Sequence, residues 1–95
     1  MRAVPFPLER PWRLDRQVAI RPEPFGALAY HFGTRRLSFL KSRKLLDVVK
    51  ALEEQPTALA ACRSAGVTET ELPIYRRALA TLASSGMVVE QADRD

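Results

Sequence analysis

The sequence predicts an α+β domain in which a three-stranded antiparallel sheet is followed by three helices. Two periodicities and their punctuation carry that expectation. Between residues 17 and 40 apolar side chains recur at every second position, the period of a half-buried strand. Between residues 45 and 82 they recur at every third or fourth, the period of one helix face. Proline and glycine fall between these runs and divide them into elements.

The best-defined stretch is Arg21–Lys41, which reads as two strands and a turn. Leu28, Tyr30 and Phe32 alternate with Ala27, Ala29 and His31. After Gly33-Thr34-Arg35 the alternation resumes, with Leu37 and Phe39 set against Arg36, Ser38 and Leu40. A strand before these is expected over Gln17–Arg21, with Val18 and Ile20 facing inward. Glu23-Pro24-Phe25-Gly26 fits a type I turn, with proline second and glycine fourth. Gly33 is assigned the positive φ that a short hairpin tip requires. No strand-like run follows Leu40 before the helices begin. The edge at Arg36–Leu40 is therefore expected to have no partner from its own chain.

Ahead of the sheet, residues 1–16 read as an extended arm. Pro5, Pro7 and Pro11 favour extended backbone. Val4, Phe6, Leu8, Trp12 and Leu14 supply apolar side chains to lie along the domain, with Trp12 as the anchor. Residues 17–90 form the domain and 91–95 a polar tail, with Met87-Val88-Val89 a short extended piece.

The first helix is expected after Lys41, capped by Ser42. Leu45, Val48, Val49 and Leu52 line one face, Leu46 widens it, and Pro56 disfavours helix at the residue before it. A second helix over Ala58–Ser64 has Thr57 as its cap and Gly66 just past its end. The third has two candidate caps, Thr68 in a box with Glu71 or Thr70. Thr70 is preferred because it places Pro73 in the first turn, where a missing N–H costs nothing. Tyr75, Ala78, Leu79 and Leu82 form its buried stripe, and Gly86 ends it. Three strands, then helices joined across Ala65–Glu69, make a winged helix-turn-helix-like arrangement.

Ninety-five residues suffice for one small core, and a 46% hydrophobic share excludes a disordered chain. One cysteine, Cys62, permits no disulfide framework and suits a reducing cytosol. The charged, proline-broken N-terminus is not a signal sequence, and no run approaches a membrane span. A cytoplasmic protein with no membrane attachment is expected. Charge is asymmetric: residues 1–50 carry eleven Lys and Arg against four Asp and Glu, residues 51–95 four against seven. A front half at +7 suits an anionic partner, or only a solvated surface.

Catalytic chemistry has little to work with. His31 is the only histidine and lacks the partners of a nucleophilic site. It reads as a strand residue with a satisfied ring nitrogen, and Cys62 as a small apolar helix residue. There is no metal-ligand spacing and no phosphate-cradling glycine loop. No catalytic, metal or cofactor residue is expected, and the protein is read as a binding protein rather than an enzyme.

Two binding modes compete. DNA binding requires polar readers at the N-terminal end of the third helix. The sequence puts Glu69, Glu71 and Leu72-Pro73-Ile74 there, with only Arg76 and Arg77 beyond, so no nucleic acid is expected. Peptide capture by strand addition instead uses the open edge. Arg36, Leu37, Ser38, Phe39 and Leu40 would pair with an extended segment, and Ile74, Arg77, Ala78 and Thr81 of helix three would wall the groove beside it. Arg35, Arg36 and Lys41 would favour acidic residues on the peptide, or simply guard the edge against aggregation.

The residues that carry this reading also carry a resemblance. Trp12-Arg13-Leu14-Asp15, Val18 through Leu28 and Tyr30 through Leu40 resemble the MftB family of mycofactocin-system peptide chaperones, as does Ser84-Ser85-Gly86-Met87. That family is similar to the PqqD-like recognition elements of ribosomally made, modified peptides (RiPPs). The resemblance implies a winged-helix-like chaperone that binds the leader of a short precursor peptide and presents it to a radical S-adenosylmethionine maturase. It implies a leader added as a strand at Arg36–Leu40, against roughly Ile74–Thr81. Iron–sulfur clusters and cofactor belong to the enzyme, so none is expected here. A monomer or a weak, edge-paired dimer is compatible with the open edge.

Overall fold

The computed structural model describes residues 6–91; Val4 and Pro5 of the expected arm and residues 92–95 of the expected tail lie outside them. In order, the elements are β1 (Trp12–Leu14), β2 (Val18–Glu23), β3 (Gly26–His31), β4 (Leu37–Leu40), α1 (Arg43–Ala51), α2 (Ala58–Ser64), α3 (Leu72–Ser84) and β5 (Val88–Glu90). β2, β3 and β4 form the expected antiparallel sheet, in that order. The α+β class therefore holds. No helix among the described residues is long and apolar enough to cross a membrane.

A second sheet was not foreseen. β1 and β5 pair antiparallel, with Trp12 opposite Glu90 and Leu14 opposite Val88. The segment leading into β1 is part of the core: Phe6 and Leu8 are buried. Trp12 stacks on Phe6 at a centroid distance of 4.1 Å, and its indole N–H donates to the Pro7 carbonyl at 3.0 Å. Trp12 thus anchors this segment, and the strand it anchors belongs to β5.

Register decides which side of the main sheet is buried. Ala27 stands opposite Leu40 and Ala29 opposite Ser38, while Ile20 stands opposite Ala29 and Val18 opposite His31. These residues share the face that α1 covers. Ala27, Ala29 and Leu40 are fully or almost fully buried there. Small side chains on β3 let the helix approach, and Leu45, Leu46, Val48 and Val49 fill the layer between. The large alternating residues lie on the other face: Leu28 opposite Phe39, Tyr30 opposite Leu37.

The helix caps follow the local chemistry. Ser42 accepts from the Leu45 N–H at 3.0 Å, and Thr57 from the Ala60 N–H at 3.1 Å. α2 and α3 end alike: Val67 N–H reaches back to the Cys62 carbonyl, and Met87 N–H to that of Leu82. The start of α3 differs from expectation. Thr68 and Glu71 form the reciprocal box, at 3.0 and 3.3 Å, within a turn that precedes the helix. Thr70 is not the cap; Glu71 occupies that position, with Pro73 in the first turn as required. Because the box closes before the helix starts, it does not force proline into the helix body.

The hairpin tip also differs. Positive φ falls on Arg35, at 64°, and not on Gly33. Gly33 sits in a tight place instead: a Cβ there would displace the exposed, movable end of the Gln17 side chain and stand 3.0 Å from the His31 ring. His31 explains the crowding. Its Nδ1 accepts from the N–H groups of Gly33 and Thr34, both at 3.0 Å. Its Nε2 therefore carries the hydrogen and faces Asp15 Oδ1 at 3.6 Å. The single histidine holds the hairpin tip together.

Candidate functional site

The open edge can be resolved residue by residue. In an antiparallel ladder, opposed residues alternate between exchanging both hydrogen bonds and exchanging none. His31 N–H donates to the Arg36 carbonyl at 2.9 Å, and Phe32 N–H to the Gln17 carbonyl at 2.8 Å. Carried along β4, the first bond turns Ser38 and Leu40 toward β3. It turns the N–H and C=O of Leu37 and Phe39 outward. Carried along β2, the second turns Ala19 and Arg21 inward and Val18, Ile20 and Pro22 outward. The two phases agree on β3, where Ala29 faces β4 and Tyr30 faces β2.

The outward groups of Leu37 and Phe39 have no backbone partner among the described residues. Among the described residues the N-terminal segment does not fill the edge, since β1 is paired with β5. Ser38, the middle residue of the expected binding strand, spends its N–H inside the sheet. The donors available to an added strand are those of Leu37 and Phe39.

Beside this edge lies a groove of about 340 Å³, lined by Ser38, Phe39, Lys41, Leu45, Ala78, Thr81 and Leu82. Four of the expected site residues, Ser38, Phe39, Ala78 and Thr81, therefore meet in one concavity. Ile74 and Arg77 precede Ala78 and Thr81 on the same helical stripe and are exposed, Ile74 at 63%. They stand further along α3, outside the groove lining. Arg36 is exposed at the start of β4. Leu40 is fully buried, so it holds β4 to the core and offers a ligand no side chain. Leu45 and Leu82 form part of the lining, although their spacing marks them only as core. Periodicity assigns a residue to a face and does not show where that face runs out from under its cover.

Electrostatics around the groove are positive. Lys41 is exposed and lines the groove, and Arg36 and Arg77 are exposed at the start of β4 and on α3. The carboxylates near the start of α3 are already engaged: Glu69 pairs with Arg63 at 3.3 Å and Glu71 with Lys44 at 3.0 Å. A hydrogen bond from the Thr68 N–H, followed by Lys44, holds the Glu71 carboxyl below its ordinary range. These pairs leave the free charge beside the edge cationic.

No cluster of metal-ligating side chains occurs among the described residues. Cys62 is buried, which pushes its thiol up and keeps it protonated and unreactive.

Comparison with known proteins falls on the same stretch. The model of the peptide chaperone MftB family matches residues 11–89, from just before β1 into β5. The chain belongs to the peptide chaperone MftB family. The MftB peptide chaperone of Mycobacterium ulcerans (strain Agy99) is 57% identical over 86 residues, 90% of this chain and 79% of its own. That of Mycobacterium tuberculosis (strain ATCC 25618 / H37Rv) is 56% identical over 88% of this chain and 77% of its own. That of Mycolicibacterium smegmatis is 54% identical over 82% and 76%. No solved structure matches the chain. Membership in the MftB family thus rests on sequence, and the edge and groove lie inside the matched region.

Proposed function

We propose that this MftB-family protein binds the leader of a short ribosomal precursor peptide as a fourth strand on β4 and presents it to a radical S-adenosylmethionine maturase. The supporting observation is the juxtaposition of two unpaired residues, Leu37 and Phe39, with the apolar-floored groove of Ser38, Ala78, Thr81 and Leu82. An added strand takes up to four backbone bonds from the outward groups, each contributing about 1 kcal/mol net. Its residue opposite Ser38 points to the α1 side of the sheet and into the groove. Backbone bonds supply affinity without sequence, and the groove supplies register. Lys41, Arg36 and Arg77 draw acidic residues of the leader alongside and speed the encounter.

The protein acts as a chaperone and performs no chemistry of its own. Its part is to order a flexible peptide in one place, and the maturase acts on the end that extends beyond β4. A nucleic-acid reading is weaker, because α3 opens on Glu71, Leu72 and Pro73 with no polar reader beside them.

Proline at Leu37 or Phe39 deletes an outward donor and leaves the β3–β4 ladder intact. Calorimetric titration with the precursor leader should show affinity falling by about thirtyfold in Leu37→Pro/Phe39→Pro, from two bonds at about 1 kcal/mol each, with the folded state preserved by circular dichroism. Undiminished leader affinity in that variant defeats strand addition.

A further inference from the structure

Among the described residues, nothing covers the sheet face away from α1. Phe32 is 61% exposed, Phe39 56%, Leu37 53% and Phe25 48%, with Tyr30 and Leu28 half-buried among them. The rings are organised: Phe25 meets Phe39 edge-on at 6.1 Å, and Tyr30 meets Phe32 at 5.2 Å. A contiguous apolar patch of this kind on a small domain marks an interaction surface. It also spans β3, β4 and both turns of the sheet, which is wider than one added strand can cover.

We infer that this outer face docks the maturase, through a surface on the enzyme that is apolar at its centre and acidic at its rim. The inference rests on the proposed function, and three observations favour this occupant. The first is charge. Arg21 stands on this face opposite Leu28, Arg35 stands in the hairpin tip, and Lys41 follows β4. Arg21 is paired with Glu23 at 3.1 Å, so the unpaired cations of this rim among the described residues are Arg35 and Lys41. The second is symmetry. Two copies stacked through this face about a two-fold axis would bring both cationic rims into one interface, which disfavours a second copy. The third is continuity. Leu37 and Phe39 direct their backbone to the edge and their side chains to the outer face. A partner on the face therefore lies alongside a leader on the edge, meeting the groove only at Phe39 and Lys41, which border both surfaces.

The division of labour is testable with side chains that lie outside β4 and outside the groove lining. Phe25→Ser/Phe32→Ser changes two exposed turn residues and leaves the β4 backbone untouched. With the purified maturase as probe, its affinity should fall at least tenfold, leader affinity should stay within twofold, and the thermal midpoint should be unchanged. Arg21→Glu should weaken enzyme binding several-fold and reduce its salt dependence. The inference is overturned if the double variant keeps full enzyme affinity, or if leader affinity falls by the same factor as enzyme affinity. It is also overturned if sedimentation shows a wild-type dimer that the double variant abolishes. The two readings fail separately: proline at Leu37 and Phe39 tests the leader edge, serine at Phe25 and Phe32 the enzyme face.

Discussion

The main sheet has two edges, and they are finished differently. On β2 the outward N–H of Val18 is taken by the Asp15 carbonyl at 3.0 Å, and Pro22 has none to offer. Among the described residues, only Ile20 keeps an unpaired outward donor there. On β4 both outward residues, Leu37 and Phe39, have no backbone partner among the described residues, and a groove runs beside them. Edge strands invite pairing, and proline or a covering loop is the usual means of preventing it. The difference is that protection is withheld on β4, where a side-chain pocket stands next to the open edge, and this is why the proposed site is placed there.

The largest effect separates inward from outward positions on β4 itself. Ser38→Pro removes a bond to Ala29 inside the sheet and should cost about 3 kcal/mol or more. At roughly 4 °C per kcal/mol for a domain of this size, the thermal midpoint should fall by at least about 12 °C. Leu37→Pro and Phe39→Pro should lower it far less. Equal destabilisation by all three would mean that the outward assignment is wrong.

The next effect isolates the groove. Thr81→Trp fills the concavity from α3 without touching β4, and leader affinity should fall about tenfold while the midpoint changes little. Unaltered affinity would show that the leader ignores the wall that distinguishes this edge. A smaller effect comes from reopening β2. Pro22→Val restores a second outward donor there and should raise self-association at high concentration while leaving leader affinity unchanged, as sedimentation and titration would reveal.

The smallest concerns the turn that holds the start of α3. Glu71 has a lowered folded pKa, so its stabilising contribution is present above the ordinary carboxylate pKa and is lost as pH falls through the depressed value. Glu71→Gln should flatten the acid limb of the stability curve and leave the neutral region nearly unchanged. An identical acid limb in the variant would remove Glu71 from the account of how α3 is held.

Much of this was legible from the sequence because the signals are local. Ser42 and Thr57 cap the helices they were expected to cap, and α2 has the expected bounds, Ala58–Ser64. The β2–β3–β4 meander follows from alternation and turn residues within a few positions of each other. The β1–β5 pairing was not legible: each strand has three residues, too few for a period, and their partners lie more than seventy positions apart. Alternation also does not say which of two faces is buried. On β3 the buried set is the small one, Ala27 and Ala29, because α1 packs directly over it. The outward donors of Leu37 and Phe39 were equally hidden, since the phase of a ladder is set by its hydrogen bonds and not by residue type. Glycine content is equally silent on which tip residue takes the positive φ: it is Arg35 and not Gly33.

The most direct test of the account reads individual amides. Hydrogen exchange followed by nuclear magnetic resonance, with and without saturating leader peptide, compares Leu37 and Phe39 on one edge with Ile20 on the other. Exchange at Leu37 and Phe39 should slow at least tenfold on binding while Ile20 is unchanged. Unchanged exchange at Leu37 and Phe39 in the saturated complex, or new protection at Ile20, would place the leader somewhere other than β4.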